Sequence, residues 1–156
     1  MKPWKKALST TLLCAAVAMP GAVSAAIQTT PMVTKDPAYQ GVPMHMMNGV
    51  TYVSLRETAM KMGYTVVYNA GDQSITLTVV SQGAENNDAN SERLRYTLKL
   101  MAGSKKIWAN GKEIMVNTPP VAHMSRVHVT KQFADYYLKR PMETLAKQAD
   151  AQYKGT

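Results

Sequence analysis

Between residues 42 and 116, apolar and polar positions alternate in short runs, each stopping at a small or polar turn. That two-residue period predicts strands with one face turned inward and the other outward. Asn48-Gly49 separates 42–47 from 50–53, and this dipeptide suits a two-residue hairpin turn best. Asn110-Gly111 does the same between 105–109 and 112–116. Residues 64–68 and 74–80 flank the turn Asn69-Ala70-Gly71-Asp72, and 93–100 alternates again from Arg93 to Leu100. The period changes at Ser54. Leu55, Ala59 and Met62 fall on one face of a helix, Gly63 suits its C-terminal cap, and Ser54-Leu55-Arg56-Glu57 has the form of a capping box. Thr130 is placed to cap a second helix through Phe133 and Leu138. Arg140-Pro141 is expected to end it, with Pro141 opening a terminal helix over 142–149. Residues 26–40 have no period and carry prolines, which predicts a flexible arm over 26–41 ahead of a single domain over 42–156. The polar stretch 81–92 predicts a long loop.

The pattern around Val53 occurs twice. The offset that places Val53 on Val129 also places Pro43 on Pro119, Ser54 on Thr130 and Met62 on Leu138. Each copy has the order strand, turn, strand, helix. The expected fold class is therefore α+β: a twisted antiparallel sheet with short helices, built on two degenerate strand-turn-strand-helix repeats.

The first copy reads Asn48-Gly49-Val50-Thr51-Tyr52-Val53-Ser54-Leu55-Arg56-Glu57 and continues to Met62-Gly63-Tyr64-Thr65-Val66. It resembles the copper amine oxidase-like N-terminal domain, or stalk domain, common in secreted and surface proteins of Gram-positive bacteria. Ser54 stands where that family usually has Pro, and Lys131-Gln132 in the second copy stands where it has Leu-Arg. Asn110-Gly111-Lys112 is similar to its linking segment. The resemblance covers about 43–138 and implies this fold. It implies no reaction, because in copper amine oxidases the metal and the cofactor-forming Tyr belong to a catalytic domain.

Composition narrows the chemistry. Lys2, Lys5 and Lys6, an apolar core over 8–19, the helix-breaking Pro20-Gly21 and Val23-Ser24-Ala25 predict a signal peptide over 1–25 and a secreted, extracellular product. The apolar stretch falls short of the ~20 residues that span a bilayer, so no membrane attachment is expected after cleavage. Cys14 lies in that signal and is the single cysteine, which removes disulfides, zinc–cysteine sites and thiol nucleophiles from the expected product. The formal charge of +8 falls by three without the signal lysines. The remaining basic residues are scattered, unlike the concentrated stripe of a nucleic-acid binder.

No catalytic motif is present: there is no Gly-x-Ser-x-Gly, no His-Glu-x-x-His and no phosphate-binding Gly loop. No enzyme activity, no cofactor and no metal are expected. Met44-His45-Met46-Met47 carries soft ligands, but on a strand Met44 and Met46 point away from His45 and Met47. His45 and His123 could become neighbours across the repeats. Asp72 and Glu57 fall in unrelated elements, and a turn Asp is ordinarily structural.

Binding is the remaining class. The hairpin tips Met124-Ser125-Arg126 and Gly103-Ser104-Lys105-Lys106 are where a rigid scaffold displays contact residues. Arg126, held by strands on both sides, is the first candidate to enter the acidic pocket of a trypsin-like protease, with Lys105 and Lys106 next. In length, signal and lack of mature cysteine the chain is also similar to small serine-protease inhibitors secreted by Gram-positive bacteria. The expected partner is an extracellular serine protease of trypsin or subtilisin type. A cell-wall polymer, bound by a surface stalk module, is the alternative.

Overall fold

The computed structural model describes residues 34–81 and 94–154. The expected signal, the first half of the expected arm and nearly all of the 81–92 loop lie outside the described residues. The fold is α+β, but its strands form two antiparallel sheets rather than one. The first contains β1 (Met44–Met47), β2 (Val50–Ser54), β8 (Val121–His123) and β9 (Arg126–Thr130), in the order β1-β2-β9-β8. The second runs in sequence order through β3 (Thr65–Asn69), β4 (Ser74–Val80), β5 (Arg95–Met101), β6 (Lys106–Ala109) and β7 (Lys112–Met115).

The order of the first sheet reads the same from either end because the repeat builds it. β2 and β9 pair antiparallel with Val53 opposite Val129, flanked by Tyr52–Thr130 and Ser54–His128. These are the residues that the repeat offset exchanges, so the two copies meet about a local two-fold axis through the valine pair. Helix α1 (Leu55–Lys61) follows β2, and α2 (Lys131–Ala134) follows β9. Val53, Val129, Leu55, Ala59, Phe133, Ala134 and Leu138 join Leu77, Leu98, Leu100 and Ile107 of the second sheet in one apolar core.

The turns behave as the sequence dictates. Asn48-Gly49 and Asn110-Gly111 both lie in the left-handed region, with φ of 51°, 76°, 49° and 78°, the backbone that continues the right-handed twist of a hairpin. Gly63, at φ 84°, lets α1 stop and the chain turn into the second sheet. β5 buries Tyr96, Leu98 and Leu100 and turns Arg95 to solvent.

Three local expectations change. The capping box does not form: Ser54 occupies the N-cap position without a side-chain hydrogen bond. Its side chain is buried on the sheet face shared with its cross-strand partner His128, and Glu57 reaches to Arg126 instead. In the second copy the cap is made, with Phe133 N donating to Thr130 Oγ1 at 3.1 Å. Pro141 does not end the second helix either. A π-helical stretch, Asp135–Lys139, leads directly into α3 (Arg140–Lys154), and Arg140 N–H donates to the Asp135 carbonyl five residues back. The wider turn accommodates the missing Pro141 N–H, and the Leu138 carbonyl accepts a hydrogen bond of 2.8 Å from the buried Tyr64 hydroxyl.

The third change concerns the expected arm. Its last residues are folded: a 3₁₀ turn, Pro37–Tyr39, buries Tyr39 completely against the core. The Tyr39 hydroxyl donates to Asp135 at 2.7 Å, Lys139 pairs with Asp36 at 2.7 Å, and Lys131 pairs with Asp135 while lying over the Tyr39 ring. Burial, reinforced by Asp135, holds the Tyr39 phenol far above its ordinary pKa, and the Lys139 contact lowers that of Asp36.

Leu55→Ala removes a buried side chain at the centre of this core and is expected to cost about 2–5 kcal/mol. Thr130→Ala, which removes a working cap, is expected to cost about 0.5–2 kcal/mol, and Ser54→Ala less than Thr130→Ala. Urea denaturation of the three variants checks the order; a neutral Leu55→Ala would place α1 outside the core.

Candidate functional site

Near the start of β9, residues of both sheets and of α1 line an open groove of about 1340 Å³. Leu55, Val66, Ile75, Met101 and Val127 form its apolar lining. Arg56, Glu57, Met60, Tyr68, Asp72 and Arg126 bring polar and exposed groups to its rim. Tyr68, from the edge strand β3, and Met60, on α1, are 62% and 57% exposed, unusual for large apolar side chains that share a surface. Two loops complete the groove: the β8–β9 turn, Met124-Ser125, and the β5–β6 turn that contains Gly103-Ser104. Gly103 N–H donates to the Pro120 carbonyl at 2.7 Å, which ties the β5–β6 turn to the start of β8, the end of that strand away from the 124–125 turn.

The structure distributes the three sequence candidates unequally. Arg126 lies on the groove but is the first residue of β9 rather than the tip, and its guanidinium donates to Glu57 Oε1 at 2.7 Å. Its backbone pairs with His123 of β8 alone, because β2 pairs only with 128–130 of β9. Arg126 is thus held on one side by a strand, not on both, and its charge is already engaged. The pair is substantially exposed, which places its worth at about 0.2–1 kcal/mol. Lys106 pairs with Glu113 at 3.0 Å. Lys105 is exposed and has no ion pair among the described residues.

Glu57 and Asp72, read from sequence as unrelated, share the rim of one groove. Both are engaged there. Asp72 accepts from Lys99 at 2.8 Å and from the Ser74 hydroxyl and N–H at 2.6 and 3.1 Å, which hold its pKa down to about 2. It is a turn residue first, as its position suggested.

A second cluster occupies the other face of the first sheet. His128, on β9, is 2% exposed and lies between His45 of β1 and His123 of β8, with ring centroids 5.2 and 5.9 Å away. The small Ser54, opposite His128, lets the His45 ring approach from two strands away. The sequence pointed to His45 and His123 as neighbours, and His128 read there as an ordinary strand histidine; in the structure both are neighbours of His128. Met44, by contrast, is buried in the core on the opposite face. Among the described residues no group of three His, Cys, Asp or Glu side chains is placed to hold a metal ion.

Burial first, and then the neighbouring His45 and His123, lowers the pKa of His128 below its ordinary 6.5. Its Nδ1 and that of His45 are buried without a hydrogen-bond partner. The Arg126 backbone, hydrogen-bonded to the imidazole, acts in the opposite direction and raises the His128 pKa, and the Arg126 charge lowers it by a smaller effect.

Residues 32–148 match the family of the copper amine oxidase N-terminal domain, and the chain belongs to it. No curated protein matches the chain. Among the described residues no helix is long and apolar enough to cross a membrane.

The His128 shift has a definite sign. The unfolded chain binds a proton there more readily than the folded one, so stability is complete above pH 6.5 and falls as pH drops below it. The urea midpoint is expected to fall between pH 7.5 and pH 5, above the range in which Asp36 and Asp72 titrate, and to fall less in His128→Gln. Equal pH slopes in the two proteins would remove His128 as the cause.

Proposed function

We propose that the chain is a secreted, non-enzymatic protein that binds and inhibits extracellular serine proteases. The observation that carries this reading is the β8–β9 tip. It is a two-residue turn, closed by the pairing of His123 with Arg126 across β8 and β9 and braced, through Arg126, by the ion pair to α1. A tip held in this way loses little conformational freedom when a partner closes on it, which favours tight association. The adjoining groove, with Met60 and Tyr68 exposed on its rim, offers a surface on which the body of a partner can rest. Family membership supports the scaffold and leaves the partner open.

The tight turn argues against inhibition by imitation of an extended substrate at Arg126. A guanidinium already held by Glu57 must break that pair before it enters an acidic pocket. Its role in this reading is to brace the tip.

Titration of the purified protein into trypsin, subtilisin and chymotrypsin is expected to give stoichiometric inhibition of at least one. Arg126→Ala is expected to weaken inhibition of all susceptible enzymes alike, by about 0.2–1 kcal/mol, and Lys105→Ala and Lys106→Ala to change it less. A loss of about 2 kcal/mol or more confined to trypsin would restore Arg126, or the lysine concerned, as a pocket-filling anchor. No inhibition of any protease, together with co-sedimentation with peptidoglycan, would replace the proposal with a cell-wall-binding role.

A further inference from the structure

Among the described residues, three hairpins close with a two-residue turn in which both residues have positive φ. Two of them use Asn-Gly, at 48–49 and 110–111, the pair that adopts this backbone with least strain. The third, between β8 and β9, uses Met124-Ser125 at φ 47° and 61°. The repeat places Met124-Ser125 on Asn48-Gly49, so the chain carries its own control for what this turn needs when only the fold is at stake. Met and Ser both carry a Cβ that the left-handed region disfavours. The Met124 side chain gains no packing in return, since it is 79% exposed, more than any other large apolar residue in the described part of the protein. An apolar side chain at a strained position, displayed to solvent, marks a place where function outweighs stability.

We propose that Met124 is the anchor by which this protein enters its partner, and that the partner presents an apolar pocket: a serine protease of the subtilisin or chymotrypsin type rather than one with an acidic pocket. This rests on the inhibitory reading above. A thioether on a flexible, unbranched side chain fits apolar pockets of varied shape and carries no charge to satisfy an acidic one. No cation occupies the tip, and the nearest, Arg126, is turned to Glu57. Ser125 of the same turn lines the groove, which carries the exposed Met60 and Tyr68 on its rim. A two-residue turn also offers no extended backbone to the catalytic centre, so the Met124–Ser125 bond stays intact in the complex.

The test compares inhibition constants of the wild-type protein, Met124→Ala, Met124→Leu and the double variant Met124→Asn/Ser125→Gly against subtilisin, chymotrypsin and trypsin. Loss of a buried apolar anchor is expected to weaken inhibition of subtilisin or chymotrypsin by about tenfold to a hundredfold in Met124→Ala, and Met124→Leu is expected to retain it. The double variant copies the turn of the first repeat. It is expected to unfold at higher urea than wild type while inhibiting as weakly as Met124→Ala, a combination that a purely structural role for Met124 does not produce. Incubation with excess subtilisin followed by mass analysis is expected to find the 124–125 bond uncut. If the wild-type protein inhibits and Met124→Ala inhibits equally well, or if trypsin is the preferred target, the anchor is overturned and the inhibitory reading stands. If the wild-type protein inhibits none of the three, both fall.

Discussion

The fold depends on the contact between Val53 and Val129. β2 and β9 pair nowhere else than over three residues each, yet this short seam joins the two repeats and orders their four strands. Its antiparallel sense has two consequences. Both following helices, α1 and α2, leave the sheet on the side where the valines are buried, so one core serves both repeats. The hairpin turns that precede β2 and β9 are sent to opposite ends of the sheet, which places Met124-Ser125 beside the groove and Asn48-Gly49 away from it.

From that symmetric seam the repeats diverge for identifiable reasons. The first helix meets Gly63, whose left-handed backbone ends it and turns the chain into the five-stranded sheet. The second helix meets no glycine and passes Pro141 by widening into a π-helical stretch. That irregularity is fastened from outside: the Tyr39 hydroxyl bonds Asp135, Lys139 pairs with Asp36, and the Tyr64 hydroxyl takes up the Leu138 carbonyl. Residues far apart in the chain thus stabilise a backbone that the helix alone would not favour, and in doing so they draw the segment before β1 into the core.

The same divergence distributes polar groups between the two faces of the first sheet. On the core face, the seam is apolar throughout. On the other, Ser54 and His128 replace larger or apolar residues, and three imidazoles gather around a buried position where protonation is unfavourable. Arg126 belongs to both neighbourhoods, close enough to bias His128 and bound to Glu57 across the groove wall. The tip is consequently braced by an exposed ion pair, while the strand behind it is held by burial.

Local pattern was enough for much of this architecture. Strand alternation, the Asn-Gly turns, the Leu55–Ala59–Met62 face and the repeat itself depend on residues within a few positions of one another, and on an offset that any self-comparison detects. The family follows from the same residues. What the sequence did not contain was the choice among partners for groups with several options. Ser54 and Glu57 have the spacing of a capping box, but the sheet claims one and Arg126 the other. Tyr39 sits in a stretch without periodicity, and it is buried where the core receives its ring and Asp135, almost a hundred residues later, accepts from its hydroxyl. The groove unites α1, two strand edges and two turns that are not neighbours in the chain, so neither the company of Glu57 and Asp72 nor the prominence of Met124 at its end could be read along it. Short-range spacing determines which elements form; tertiary contact decides which side chain each polar group meets, because that competition is settled only when distant strands come within a few ångströms.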